Sequence, residues 1–311
     1  MDREATLSET DTHFFEAGTT QEKSIQPATW SDYLHLTKPG ITLSNLMTTF
    51  TGLWLASKGA PELDIMFYTL IGTALVIASG AALNNYWDRE LDMKMKRTKN
   101  RGLASGRIHP RNALLIGIGL LLAGLVVLAV GANPLAAVLG LLGHIFYVLI
   151  YTPLKRVTTL NTVIGGVSGA IPPMIGWAAV TANLDPGAWV LFLILFLWQP
   201  PHFLALAMLK VEDYRAGGIP MLPVVRGFAE TKRQMFLWAA ALVPASLLLS
   251  LYGIVGGLYL TAAVVLGLIY LYLLFQGFST KDDLAWARKL FGYSLIYLTG
   301  MCAIMIISHV F

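Results

Sequence analysis

Nine apolar stretches, at about 40–57, 65–84, 112–131, 135–152, 161–180, 188–209, 234–254, 257–276 and 290–310, recur along this 311-residue chain and restrict the fold open to it. Each is close to the roughly 20 residues that an α-helix needs to cross a bilayer. Inside hydrocarbon the backbone N–H and C=O groups find no water, so only helices and closed barrels can span it. Long unbroken apolar runs without strict alternation select the helix. A hydrophobic share of 56% against 13% charged residues excludes an ordinary soluble enzyme. The expected fold is an all-α polytopic membrane protein, a nine-transmembrane-helix bundle around a central cavity.

Basic residues orient the bundle, because cytoplasmic loops retain lysine and arginine during insertion. The loops after the second, fourth, sixth and eighth stretches carry 8, 2, 5 and 3 of the 22 basic residues, and the intervening loops carry only Lys58. This asymmetry predicts a cytoplasmic N-terminus and a C-terminus on the far side. The net charge of +4 then reflects topology and local anion sites, with no reason to invoke nucleic acid. Residues 1–34 hold seven acidic and two basic residues and no apolar core of signal-peptide length. That segment is predicted to be a disordered cytoplasmic tail ahead of a single transmembrane domain, 35–311. The one cysteine, Cys302, lies in the last stretch, which leaves no disulfide framework.

The polar residues are few, and their placement carries the chemistry. Asn84, Asp88 and Asp92 follow one another at four-residue spacing where the second stretch ends, so a helix puts them on one face. Two carboxylates one turn apart repel, and a cation between them relieves this. Oxygen donors so arranged suit Mg²⁺, which keeps several waters and completes its shell with substrate phosphates. A second acidic pair, Glu212 and Asp213, follows the sixth stretch on the same predicted side and is a candidate for a second ion. Guanidinium groups match phosphate oxygens bidentately, and Lys94, Arg97, Lys99, Arg101 and Arg107 follow the first cluster while Lys155 and Arg156 follow the fourth stretch. If the helix continues, Arg97 and Arg101 lie one turn apart, as do Tyr151 and Lys155. The bland alternatives are a solvated helix end, with Asp88 and Asp92 paired to neighbouring bases, and loops that merely touch anionic lipid. Pro172-Pro173 and Pro200-Pro201 are expected to interrupt the fifth and sixth helices, with His202 beside the second pair a candidate porphyrin contact. An ion pathway is the non-enzymatic reading, but charges gathered at one surface supply no route across.

The run Asn84-Asn85-Tyr86-Trp87-Asp88-Arg89-Glu90-Leu91-Asp92 resembles the N-x-x-x-D-x-x-x-D motif of the intramembrane aromatic prenyltransferase (UbiA) superfamily, and Tyr151-Thr152-Pro153-Leu154-Lys155 is similar to its Y-x-x-x-K element. Asn161, Ile164-Gly165-Gly166, Ile171-Pro172-Pro173, Pro201-His202-Phe203 and the run from Asp213 to Pro223 most resemble its haem-farnesylating members. The resemblance implies Mg²⁺-dependent transfer of a farnesyl group from farnesyl diphosphate to a vinyl group of haem B, in a bacterial inner membrane, with haem A synthase or oxidase-assembly proteins as partners. It implies metal ligation by Asn84, Asp88, Asp92, Glu212 and Asp213, and diphosphate binding by Arg97, Arg101, Lys155 and Arg156. Tyr151 would act beside Lys155, and His202 at the porphyrin. The usual second motif, D-x-x-x-D, is not complete, since position 217 is glycine, and Arg101-Gly102-Leu103 stands where Arg-Pro-Leu is expected, which keeps the arginine. A quinone precursor such as 4-hydroxybenzoate is the alternative acceptor.

Overall fold

The computed structural model of the protein describes residues 27–308, and every regular element among them is helical. A short helix, α1 (Trp30–Leu36), precedes α2 (Pro39–Ala56), α3 (Leu63–Lys94), α4 (Pro110–Gly131), α5 (Pro134–Leu154), α6 (Asn161–Thr181) and α7 (Pro186–Leu209). Two short helices, α8 (Val211–Ala216) and α9 (Leu222–Val225), lead into α10 (Gly227–Leu251), α11 (Gly257–Gln276) and α12 (Asp283–Ile307). Among the described residues, eight helices are long and apolar enough to cross a membrane: α3 to α7 and α10 to α12. The first expected span is present as α2, but Thr48, Thr49 and Thr51 make it less apolar and are buried against the bundle.

Apolar side chains face outward as well as inward. Along α4, Leu115, Ile118, Leu122, Val126 and Val130 are all exposed, a continuous greasy stripe that lipid would cover. The core is built of large apolar side chains, and at the crossing of α2 and α6 small residues let the helices approach closely. Gly52 of α2 and Gly176 of α6 sit against the backbone of Pro173 and Thr49 respectively. Both proline pairs lie inside continuous helices, so the expected breaks in α6 and α7 do not occur. Between α2, α6, α7 and α12 the packing leaves an apolar gap of about 10 Å³ lined by Thr48, Pro173, Trp198, Tyr297 and Cys302.

Residues 1–26 of the acidic tail lie outside the described residues. The rest of the segment taken as tail is ordered from Thr29. Thr29 and Asp32 form a reciprocal capping box at the start of α1, and Asp32 also receives Arg107 Nη2 at 2.6 Å. Those hydrogen bonds from Arg107 hold the Asp32 carboxyl well below the usual carboxylate range. Arg107 therefore staples the loop after α3 to α1, which differs from the phosphate contact its position in the basic run suggested.

Candidate active site

The last three turns of α3 carry Asn84, Asp88 and Asp92 into the protein, and all three are buried. Burial of two carboxylates needs compensating charge, and four bases from three other segments supply it. Lys155 Nζ donates to Asp88 Oδ2, and Arg156 Nη2 lies 3.5 Å from Asp88 Oδ1. Arg101 Nη1 donates to Asp92 Oδ2 at 2.8 Å and to Asn85 Oδ1 at 3.2 Å. Asn84 Nδ2 bridges Asp88 Oδ2 at 2.9 Å and Thr152 Oγ1 at 3.1 Å, while its Oδ1 accepts from Lys38 Nζ at 2.7 Å.

Lys38 was not among the residues singled out from the sequence. It sits in the left-handed region, φ 49°, immediately before Pro39, an uncommon conformation for a lysine. That turn delivers its amine from the start of α2 to Asn84. Burial, reinforced by the nearby Arg101 and Lys155, pulls the ammonium down to about 7. Burial likewise lowers Lys155, against the opposing pull of Asp88. Four cations, Lys38, Arg101, Lys155 and Arg156, gather around the two carboxylates Asp88 and Asp92, which leaves the site short of negative charge. A polyanion would balance them.

The expected geometry holds in part. Asp88 and Asp92 do share one face of α3. Helix α3 ends at Lys94, so Arg97 and Arg101 are not helical neighbours: Arg101 folds back to Asp92, and Arg97 is exposed in the loop. Thr98 Oγ1 closes the turn by donating to the Asp92 carbonyl at 3.0 Å. Glu212 does not join the aspartates, because its i,i+3 ion pair with Arg215 holds it at the surface. Asp213 is half-buried beside Tyr214, whose phenol is raised by burial and eased by Arg97 and Arg101. Among the described residues no three His, Cys, Asp or Glu side chains gather closely enough to hold a metal by themselves.

A hard divalent cation that arrives with a phosphate needs fewer protein donors. Asp88 Oδ1 is buried and accepts no hydrogen bond, having only the longer ion pair with Arg156, and Asn84, Asp88 and Asp92 offer oxygen to a cation. That donor set fits Mg²⁺ sharing its shell with a diphosphate and water.

Tyr151 stacks on Tyr147 at 5.7 Å, and Lys155 Nζ lies 5.5 Å from the Tyr151 ring centroid. His202 is elsewhere, on α7. Its ring is sandwiched between Trp198 at 4.6 Å and Phe291 at 4.7 Å, and Nδ1 lies 2.6 Å from Ser294 Oγ. The Ser294 hydroxyl donates its proton to the Phe291 carbonyl at 2.6 Å. Nδ1 must then carry the imidazole proton, which leaves a lone pair on Nε2.

The sequence profile described as the UbiA prenyltransferase family matches residues 45–296. The chain is 50% identical over 305 residues to a protoheme IX farnesyltransferase of Alkalihalophilus pseudofirmus, covering 96% of each chain. It is 47% identical to protoheme IX farnesyltransferase 2 of Bacillus subtilis, over 91% of this chain and 93% of that one. Among solved structures, a digeranylgeranylglyceryl phosphate synthase superposes with a TM-score of 0.76 at 19% identity, over 90% of this chain and 98% of that one. A UbiA homologue from Archaeoglobus fulgidus bound to GPP and Mg²⁺ does so at 0.67 and 18%, over 88% and 99%. At those identities the structural matches establish a shared fold.

Proposed function

The chain belongs to the UbiA prenyltransferase family, and from that premise we propose that it transfers a farnesyl group from farnesyl diphosphate to a vinyl group of haem B, giving haem O and diphosphate. The acceptor rests on one observation, the likeness at half identity, along nearly the whole chain, to proteins named protoheme IX farnesyltransferase. The site is read as lying at the cytoplasmic rim of a bacterial inner membrane, where the basic loops gather.

The residues divide the task by depth. Lys38, Arg101, Lys155 and Arg156 bind the diphosphate oxygens and hold the leaving group at the rim. Asn84, Asp88 and Asp92 would hold Mg²⁺, which supplies charge neutralisation as diphosphate departs. Asp213 is the remaining candidate for a second ion; Glu212 would first have to leave Arg215. The C–O bond of the diphosphate breaks with its electron pair leaving on oxygen. The vinyl π pair closes the new C–C bond, water adds the hydroxyl group, and one proton is released. Apolar walls keep water from the allylic cation before the vinyl group reaches it. His202 would contact the haem, with the Nε2 lone pair available to the iron. Its Nδ1–H is fixed by Ser294, as the second nitrogen of a metal-ligating histidine usually is.

Purified protein incubated with haem B, farnesyl diphosphate and Mg²⁺ is expected to yield the mass of haem O. Prenylated 4-hydroxybenzoate with haem B unchanged would transfer the reading to the quinone-precursor branch. Lys38→Met tests the diphosphate clamp. It removes one of four cations and leaves the Asn84 oxygen free to turn, so KM for farnesyl diphosphate is expected to rise about tenfold, the worth of one charged hydrogen bond. Steady-state kinetics with unchanged thermal stability would check it; an unaltered KM would remove Lys38 from the clamp.

A further inference from the structure

The amide and carboxylate side of α3 and the Tyr and Lys side of α5 face each other as two ladders in register. On α3 the rungs are Gly80, Asn84, Asp88 and Asp92; on α5 they are Tyr147 and Tyr151 with Thr152, followed by the C-cap residue Lys155. Asp88 meets Lys155, and Asn84 meets Thr152. One turn deeper, Gly80 meets the Tyr147 ring: a Cβ there would sit 3.1 Å from Tyr147 Cδ1. On the other side, a Cβ at Gly165 of α6 would be 3.0 Å from Tyr151 Cδ2. Two glycines on different helices thus make room for the stacked tyrosines, whose planes are 14° apart.

A local change in helix geometry sets this pair. Residues Phe146–Tyr151 form a π-helical segment, a widened turn often found at functional sites. Pro153 follows, has no N–H to give and crowds the preceding turn. Thr152 closes the wide turn by donating both its N–H and its Oγ–H, the latter at 2.8 Å, to the Tyr147 carbonyl. Because Thr152 Oγ1 also accepts from Asn84, the tyrosine pair is tied to the buried polar cluster. Neither tyrosine hydroxyl has a protein partner among the described residues.

Resting on the farnesyl-transfer reading, we propose that Tyr147 is a second aromatic wall of the prenyl pocket, stacked with Tyr151 to stabilise the allylic cation and keep water from it. A prenyl diphosphate held at Asp88 and Lys155 would send its chain towards the bilayer interior, and one helical turn is about 5.4 Å. Its first isoprene unit would therefore lie level with the two rings. When the C–O pair leaves with diphosphate, the positive charge left on the allyl carbons meets ring faces, which attract cations. The acceptor's π electrons then quench it; captured by water, the same cation gives farnesol.

Fluorination tests the ring without changing its shape. Phe, difluoro-Phe and tetrafluoro-Phe are placed at position 147 of the full-length protein, with Tyr147→Leu beside them. Haem O, farnesol and diphosphate are all measured. Tyr147→Phe is expected within about twofold of wild type, and Tyr147→Leu to lose about tenfold in kcat with a larger share of farnesol. The fluorinated series should fall stepwise between them. A flat series, or Tyr147→Leu with wild-type rate and partition, would overturn the assignment. If Tyr147→Leu does not fold, the fluorinated series alone decides. Wild-type protein that releases diphosphate without making haem O sinks the haem reading separately, and the series is then scored on diphosphate release.

Discussion

Asp88→Asn is expected to lower kcat by about a thousandfold, the scale seen when one preorganised electrostatic group is lost at a reacting centre. The same change also leaves Lys155 buried beside an amide, and breaking a buried pair by removing one partner costs about 3–5 kcal/mol. Loss of activity in Asp88→Asn alone could thus report a weakened fold. Two companions separate the effects. Asp92→Asn disturbs a pair whose arginine side chain is 32% exposed, so water can replace the lost carboxylate and stability should change little while turnover collapses. Asp88→Asn combined with Lys155→Met removes both charges, so its thermal stability should recover most of the loss while turnover stays low. Thermal unfolding and diphosphate release on the same preparations read both quantities. Near-wild-type turnover in Asp92→Asn would end the account in which both aspartates serve the leaving group.

The readable part of this protein was whatever the bilayer and the helix repeat dictate. Apolar stretches located α3 to α7 and α10 to α12, but the polar ends lay outside them: α3 runs on from 84 to Lys94, and α10 and α12 begin at Gly227 and Asp283, ahead of the stretches at 234 and 290. Four-residue spacing put Asn84, Asp88 and Asp92 on one buried face, as α3 shows. Tertiary placement was harder to see. Lys38 is 46 positions from Asn84 and reaches it only because a left-handed turn aims its side chain. Arg101 was expected on a continuing helix, yet α3 stops at Lys94 and the loop returns the guanidinium to Asp92. Arg107 looked like another phosphate ligand and pairs with Asp32, a partner 75 positions away. Composition marked 1–34 as tail, whereas the Thr29–Asp32 box and that ion pair order its end. Tyr147 was within reach of the same spacing argument that found Tyr151 and Lys155, being one more step of four. Proline doublets misled in the opposite direction, since neighbouring helices tolerate them in α6 and α7 without a break.

Gly176→Val is expected to be the most damaging substitution outside the polar cluster, although position 176 touches none of its residues. A Cβ at Gly176 would sit 1.9 Å from the Thr49 carbonyl oxygen and 2.8 Å from the Leu53 nitrogen. Both are backbone atoms of α2, so no rotamer change relieves the clash and the helices must separate. Overpacking a tight core costs about 1–3 kcal/mol when side chains can yield, and here the upper figure is the floor. Gly119 on α4 has nothing within 4 Å of its added Cβ, so Gly119→Ala should be neutral or slightly stabilising and controls for glycine replacement in a spanning helix. The consequence reaches the site through α2, whose N-cap residue Lys38 donates to Asn84. Gly176→Ala, the smaller insult, should therefore raise KM for farnesyl diphosphate in the same direction as Lys38→Met while lowering the thermal midpoint. Combined with Lys38→Met it should add little further to KM, because both changes remove one contact. Full additivity in that double-mutant cycle would show that α2 packs on α6 without positioning the lysine.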